Sequence, residues 1–572
     1  MSSHAGKETA RVDVQVGVDF GTTFTGVTWI APELQVKKIQ FVKDWPGQMS
    51  DKVPTVLAKN VLGTNRKWGF LCNELDEGSK WRFLELCLHA KPERLNETPW
   101  ATDSRSETYS LVQEYLSQVY GHISGSIIKH LRRRVDVNWD KLVIEFTFSI
   151  PATWDASIAE DFLKIAHDAG FGREAGHKAA LGLTEAAAAV VSASELDIPF
   201  TRGETILSID AGGGTTDLAL VTLKEAKPMQ MVQNMAVMAT GFGSVLIDMG
   251  FKQLVERRLT DYPDIPKTYA ETVAQGVVFR NWKHAYGSSP QGNEVWRMYL
   301  QPVSNQVDSR FVEFHPQDLG ALFDEQFEGI KGCVDKVLGD FETMGGQHVN
   351  HVVLSGGLGS SEYVFARMKE HLEQQKSEKP SLGKVQLWRS ATPQLAVARG
   401  LVINKTNLLL KSGIAPASYG VVVEQPFCQR THCGQKPTKN LHDGKLYVQN
   451  QIHWVIMKGT KLEPGTTFSH KIRRICSASD PEEWTEKIVF SDLILERLPR
   501  TMGGPGVKGL KPFRISLDST PTELKQRPFS SRRYRVIEYE LKLVVGHCGE
   551  CRVDVCSNTG ITLSEGMAKL SI

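Results

Sequence analysis

Two segments far apart in the chain, each built on an aspartate at a strand end, limit what it can fold into. Val16-Gly17-Val18-Asp19-Phe20-Gly21-Thr22-Thr23 runs into an apolar strand from Phe24 to Ile30. Leu207-Ser208-Ile209-Asp210-Ala211-Gly212-Gly213-Gly214-Thr215-Thr216-Asp217 runs into another from Leu218 to Thr222. A turn without Cβ atoms lets an anion approach closely enough to accept hydrogen bonds from backbone N–H groups. Gly21, Gly212, Gly213 and Gly214 supply that access, and Thr22, Thr23, Thr215 and Thr216 add hydroxyl donors. Asp19 and Asp210 would repel phosphate, so they make sense beside a divalent cation. Mg²⁺ retains several waters, and the two carboxylates are expected to reach it through them.

A single turn of this kind is equally well explained as an ordinary glycine-rich hairpin. A matched pair reads as two versions of one phosphate-gripping hairpin. The chain contains no G-x-x-x-x-G-K-[ST] and no G-x-G-x-x-G opening a helix, which excludes a P-loop and a dinucleotide fingerprint.

Three further stretches extend the pattern. His351-Val352-Val353-Leu354-Ser355-Gly356-Gly357-Leu358-Gly359-Ser360-Ser361 reads as a strand, a double-glycine turn and a helix start. Phe148-Ser149-Ile150-Pro151-Ala152-Thr153-Trp154 precedes a helix from about Asp155 to Ala169, on which Ile158, Phe162, Ile165 and Ala166 share a face. Ala179-Ala180-Leu181-Gly182-Leu183-Thr184-Glu185 leads into an alanine run.

Together these motifs resemble the actin, hexokinase and heat-shock-chaperone ATPase superfamily, and the glutamate before an alanine-rich helix is similar to the seventy-kilodalton heat-shock branch. Lys67 to Phe70, Trp81 to Leu86 and Ser418 to Val421 look like the divergent heat-shock-like ATPases of fungi and animals. The resemblance covers roughly residues 12 to 425. It implies an α/β, two-lobed actin-like ATPase fold, with duplicated mixed-sheet lobes and inserted subdomains, followed by a β-rich C-terminal domain. It implies binding of ATP and ADP with Mg²⁺.

By the same resemblance Asp19 and Asp210 hold the metal through water, and Gly21, Thr22, Thr23, Gly212, Gly213, Gly214 and Thr215 hold β- and γ-phosphates. Glu185 orients or deprotonates the attacking water, and Asp217 helps to order it. Gly241 and Gly243 occupy the place of a phosphate-contacting glycine pair before a helix from Ser244 to Leu259, whose N-terminal amides would face an anion. Gly356 and Gly357 admit adenosine, and Lys283, on a helix from Phe279 to Tyr286, flanks it.

The expected organisation is a disordered N-terminus over 1–11, lobe I over 12–199 with an insertion at about 46–110, lobe II over 200–412 with an insertion at about 251–325, and a β-rich domain over 413–572. After about Lys411 short alternating strands separated by Gly, Pro, Asn and Ser dominate, and no segment long enough for a helical lid follows them.

Composition narrows the partners. With 67 basic and 65 acidic residues the net charge is +2, which gives no electrostatic case for nucleic acid or an anionic membrane. The basic run Lys129 to Arg134 fits the solvated end of a helix before the Leu142 to Ile150 strand. The absence of an apolar leader or spanning stretch points to a cytoplasmic or nuclear protein. Nine cysteines argue against a disulfide framework. Cys428, His432, Cys433, His547, Cys548, Cys551 and Cys556 invite a zinc reading, but a hairpin turn near Cys548 explains the second half without metal.

The departures from the family bear on activity. The lysine that positions the attacking water in these chaperones has no aligned counterpart between Lys67 and Lys91, where Arg82 or Lys91 would have to substitute. Thr392-Pro393-Gln394 replaces an expected acid, and Asn407 to Lys411 is a faint echo of the interdomain linker. The favoured expectation is therefore an ATP-binding, chaperone-like protein with slow hydrolysis, engaging a protein client or partner through the C-terminal β domain. One alternative is a nucleotide-gated interaction protein that binds ATP without turning it over. The other is a small-molecule kinase on the same fold, disfavoured by the glutamate and alanine-rich helix.

Overall fold

The computed structural model describes residues 12–62, 65–89, 102, 104–266, 268–288, 294–300, 310–346, 348–378, 385–477, 483–510, 512–516, 523–526, 533–546, 550–557 and 562–571. The expected disorder of 1–11, and Lys91, His547 and Cys548, lie outside the described residues. The chain divides into two compact units. The first comprises Met1–Trp154, Asp161–Met231 and Val237–Leu409, and the second Asp155–Glu160, Val232–Ala236 and Leu410–Ile572. The protein is mixed α/β with a β-rich C-terminal region.

The first unit contains two sheets with the same connectivity around their central strands. In one, Val14–Phe20 runs antiparallel to Phe24–Ala31 and parallel to Ile144–Ile150, which is parallel to His177–Thr184. In the other, Thr205–Ala211 runs antiparallel to Thr216–Ala226 and parallel to His351–Ser355, which is parallel to Gln386–Arg389. Every residue of Thr205–Ala211 is buried. Near-continuous apolar runs of this kind belong to sheets covered on both faces.

Two helices join the sheets. Glu185–Ser192, buried along its whole length, packs on Thr205–Ala211 and Thr216–Ala226. Ala396–Asn407 packs on Val14–Phe20 and Phe24–Ala31, where Thr28 donates its hydroxyl to the Ala398 carbonyl at 2.9 Å. The helices meet at Gly400, where a Cβ would lie 1.8 Å from the Ala188 carbonyl oxygen. At Gly17 a Cβ would lie 2.3 Å from the Ala398 carbonyl oxygen. Glycine is required at both places because backbone occupies the space.

Two long helices begin inside segments that the sequence assigns to insertions. Arg105–Leu131 is capped by Ser104, which accepts from the Glu107 amide, and its Tyr115 ring lies 6.0 Å from Phe20 of the first sheet. Pro316–Thr343 starts with a reciprocal cap between His315 and Asp318. The basic run after Lys129 falls at the end of the first of these helices. Neither helix is announced by a contiguous apolar run, since apolar positions recur only once or twice per turn.

The second unit is built from antiparallel strands. Ser418–Pro426 pairs with Leu446–Ile456 on one side and Ile488–Ser491 on the other. Arg533–Val545 pairs with Thr467–Ser477 and Glu550–Ser557. The two sheets share one apolar core, with Tyr419, Val421, Ile456, Ile488 and Phe490 from the first and Ile537, Leu541, Leu543 and Val553 from the second. Within this core Glu486 accepts from Trp484 Nε1 at 2.8 Å and from the Tyr539 hydroxyl. Among the described residues of 410–572 the only helical segment is the single turn Leu495–Arg497. No helix among the described residues is long and apolar enough to cross a membrane.

Candidate functional site

Four strands, two parallel neighbours in each sheet, carry the chemistry to their C-terminal ends. Asp19 stands one residue before the end of Val14–Phe20, beside Ser149 of the parallel neighbour, whose hydroxyl donates to Asp19 Oδ1 at 3.3 Å. Asp210 stands one residue before the end of Thr205–Ala211, beside Ser355 of its parallel neighbour, whose hydroxyl donates to Asp210 Oδ1 at 2.6 Å. The two sheets thus present the same strand-end Asp–Ser pair.

Both aspartates line a cavity of about 540 Å³ in the first unit, together with Gly21, Thr22, Thr23, Gly212, Gly213, Gly214, Thr215, Glu185, Lys283, Gly356 and Gly357. The glycine turns approach each other across it. A Cβ on Gly213 would lie 2.5 Å from Thr23 Oγ1, and one on Gly214 would lie 2.5 Å from Thr22 Oγ1. The amides of Gly21 and Gly212 close their own turns onto the carbonyls of Phe24 and Thr215. Gly356 has φ 83°, and a Cβ there would meet the Ala211 carbonyl oxygen at 2.3 Å, so the third turn also needs glycine to reach the strand end.

The structure puts Asp217, Gly241 and Gly243 outside the lining of this cavity. Asp217 accepts from the Thr215 hydroxyl at 2.9 Å and from the Ala152 amide at 3.3 Å, so it holds the second hairpin's threonine and the loop after Ile150. Gly243 packs on the Gly213 carbonyl, where a Cβ would lie 2.4 Å from the oxygen, while Gly241 has open space around it. The expectation that the helix amides after Gly243 face an anion is corrected. The amides of Ser244 and Val245 donate to the carbonyls of Gly212 and Gly213 at 3.2 and 2.9 Å, so the helix N-terminus supports the hairpin instead. Lys283 pairs with Asp248 at the cavity wall.

Two residues that the sequence did not single out enter the site. Lys52, on the short strand Lys52–Pro54, lies opposite Gly26, which lies opposite Asp19. Because Gly26 has no side chain, the Lys52 stem passes over it, and a Cβ there would sit 3.0 Å from Lys52 Cε. The ammonium reaches Asp19 Oδ2 at 2.6 Å, with Lys52 17% and Asp19 4% exposed. Burial opposes the Lys52 charge, but Asp19, then Asp210 and Glu185, outweigh it and raise the pKa above the ordinary lysine value. A three-residue strand is too short for periodicity to reveal, and the Asp19–Gly26–Lys52 alignment exists only across paired strands. The nearest sequence signal was the lysine before Val53 and Pro54.

Glu85 is the second. It lies on the short helix Leu84–His89, is 3% exposed, and accepts from Thr22 Oγ1 at 2.6 Å. Phe83, just before that helix, has φ 58°. A left-handed backbone costs a bulky residue on the order of 1–3 kcal/mol and persists where surrounding structure fixes it.

The cavity is acidic in its buried part. Burial first, and then the charges of Asp217 and Asp19, push the Glu85 carboxyl up to about 8 against the Thr22 hydrogen bond. Burial raises Asp217 to about 7 and Asp210 to about 6, each partly offset by its hydroxyl partner. Glu185 is raised well above the carboxylate range by burial and by Asp217, Glu85, Asp19 and Asp210. Such clustering of displaced carboxyls in a cleft is a mark of functional sites.

The donor set suits Mg²⁺, since it offers hard oxygen ligands. Among the described residues no group of three or more His, Cys, Asp or Glu side chains is arranged to ligate a metal directly. A Mg²⁺ at Asp19 and Asp210 would accordingly keep most of its waters. The zinc reading finds a different use for its loop: His432 Nδ1 accepts from the Cys428 amide at 3.0 Å, and its Nε2 lies 3.3 Å from Gln425 Oε1. Arg533–Val545 and Glu550–Ser557 form the expected antiparallel pair, with Val545 opposite Cys551.

Comparison with known families matches residues 413–540 to a domain of unknown function, DUF8568, which falls within the second unit. No curated protein matches the chain.

Proposed function

We propose that the first unit is a nucleotide-binding domain of the actin, hexokinase and heat-shock-chaperone type, a divergent relative of the seventy-kilodalton heat-shock proteins that binds ATP and ADP with Mg²⁺. One observation carries the reading: two sheets of the same connectivity each bring a strand-end aspartate, held by a serine on the adjacent parallel strand, and a glycine turn to one cavity, which the aspartates and the turns line. A cavity of about 540 Å³ is in the size range of small-molecule sites.

In this reading Asp19 and Asp210 would hold a hydrated Mg²⁺, which would supply neutralisation of phosphate charge. The turn at Gly213 and Gly214 and the Thr23 hydroxyl would orient the polyphosphate, since the amides of Gly21 and Gly212 and the hydroxyls of Thr22 and Thr215 donate within the protein. Gly356 and Gly357 let adenosine lie against backbone. Lys52 supplies a cation at Asp19; of Arg82 and Lys91, the candidates for the lysine that positions the attacking water in the family, Arg82 lines the cavity. Glu185 faces the place of the attacking water, but burial and the neighbouring carboxylates raise its pKa and so disfavour the ionised form that a general base needs. Turnover is therefore slow.

A second reading, binding without turnover and with nucleotide state gating a protein partner of the β-rich domain, is favoured by that same burial of Glu185.

Calorimetry with Mg-ATP on the wild type and Asp210→Ala, followed by single-turnover hydrolysis, tests both. Binding that Asp210→Ala weakens at least tenfold supports the nucleotide site. Hydrolysis above the buffer rate that Glu185→Gln slows favours the first reading, and binding with no hydrolysis favours the second. No binding overturns both.

A further inference from the structure

Glu85 belongs to none of the phosphate-binding elements, yet it occupies one of their donors. A threonine hydroxyl has one hydrogen to give. That of Thr22 is directed to Glu85 Oε2 at 2.6 Å, in a buried setting. The Leu84–His89 helix also reaches the second hairpin, since a Cβ on Gly214 would meet Leu86 Cδ2 at 3.2 Å. The Glu85 helix therefore abuts both turns between which a terminal phosphate would sit. The left-handed Phe83 immediately precedes this helix. Around Glu85 stand Asp19, Asp217 and Glu185, with Lys52 the cation that acts on it.

We propose that Glu85 is a specificity residue, whose carboxyl stands where a terminal phosphate would take the Thr22 hydroxyl, so that the site accepts a nucleoside diphosphate in preference to a triphosphate. The inference rests on the nucleotide reading above. A diphosphate leaves the Thr22–Glu85 hydrogen bond in place. A triphosphate must break it and place its terminal group against the buried Glu85 carboxyl, which already fills the position beside the Thr22 hydroxyl. Specificity here comes from a repulsive element, not from an added attraction.

The test is competition between ADP and ATP, each with Mg²⁺, for the full-length chain and for Glu85→Ala. The expected result is at least tenfold tighter ADP binding by the wild type, about 1.4 kcal/mol, with the ratio falling below about threefold in Glu85→Ala as ATP tightens. Beryllium fluoride, which adds a terminal-phosphate mimic to bound ADP, gives a second readout on the wild type alone, and it is expected not to tighten ADP. Equal affinities in the wild type, an unchanged ratio in Glu85→Ala, or strong tightening by beryllium fluoride would each overturn the assignment while leaving the nucleotide site standing. Failure of both nucleotides to bind overturns the nucleotide reading and this inference with it.

Discussion

The two units bury polar groups in opposite ways. In the first, Asp19, Glu85, Glu185, Asp210 and Asp217 are all buried around one cavity, with Lys52 the cation held against Asp19. In the second, buried Glu486 is enclosed by Trp484 and Tyr539 donors inside an apolar core. Burying a carboxylate without a full set of partners is costly, and a fold retains such groups in number where something other than stability requires them. The contrast separates a region whose buried charges gather at a cavity from one organised around its own packing.

The largest expected effect strikes the first unit. Lys52→Met leaves Asp19 buried without its cation, and breaking a buried pair from one side costs about 3–5 kcal/mol. Hydrogen exchange read by mass spectrometry should show loss of protection in Val14–Phe20 and Phe24–Ala31, while Arg533–Val545 keeps its own. Equal loss in both units would mean that they unfold as one and would erase the contrast.

Next comes an opposed response to pH. Glu85, Asp217 and Asp210 have pKa values raised on folding, to about 8, 7 and 6. Between the unfolded carboxylate range and these values the folded state holds more protons, so the first unit loses stability as pH rises from about 4.5 to 8. In the second unit His470 is lowered to about 4, by burial and by the charge of His453, whose ring stacks on it with centroids 3.7 Å apart. There the unfolded state holds more protons, and stability is lost as pH falls from about 6.5 towards 4. Region-resolved exchange at pH 5 and pH 8 should move the two units in opposite directions; movement of both in the same direction would refute the assignment of these groups.

Smallest is Tyr539→Phe, which removes one of the donors to Glu486 and should destabilise the second unit by about 1–3 kcal/mol. Urea denaturation followed by Trp484 fluorescence would measure it. A change below about 0.5 kcal/mol would place Glu486 among groups that water can satisfy.

How much of this was legible in the sequence follows from distance along the chain. Asp19, Gly21 and Thr22, and likewise Asp210 to Thr215, are contiguous, so strand and turn chemistry exposed them together. The strands carrying them, Val14–Phe20 and Thr205–Ala211, end within two residues of these aspartates. Lys52 and Glu85 owe their places to strand pairing and to a left-handed residue before a six-residue helix, and neither leaves a periodic trace. The fate of the amides after Gly243 was equally hidden. A glycine turn before a helix reads as an anion site until one knows that the carbonyls of Gly212 and Gly213 have reached it first.

The crossing at Gly400 and Ala188 bears on mechanics. Where interlocking side chains separate elements, they resist sliding but yield a little in many directions. At this crossing backbone rests on backbone, and the missing Cβ at Gly400 leaves no soft layer to compress. The helix that begins with Glu185 and the helix seated on the Asp19 strand bear on each other like two beams at a bare pivot. A turning that keeps this contact would leave the pivot in place, and a single methyl group added at Gly400 would jam it.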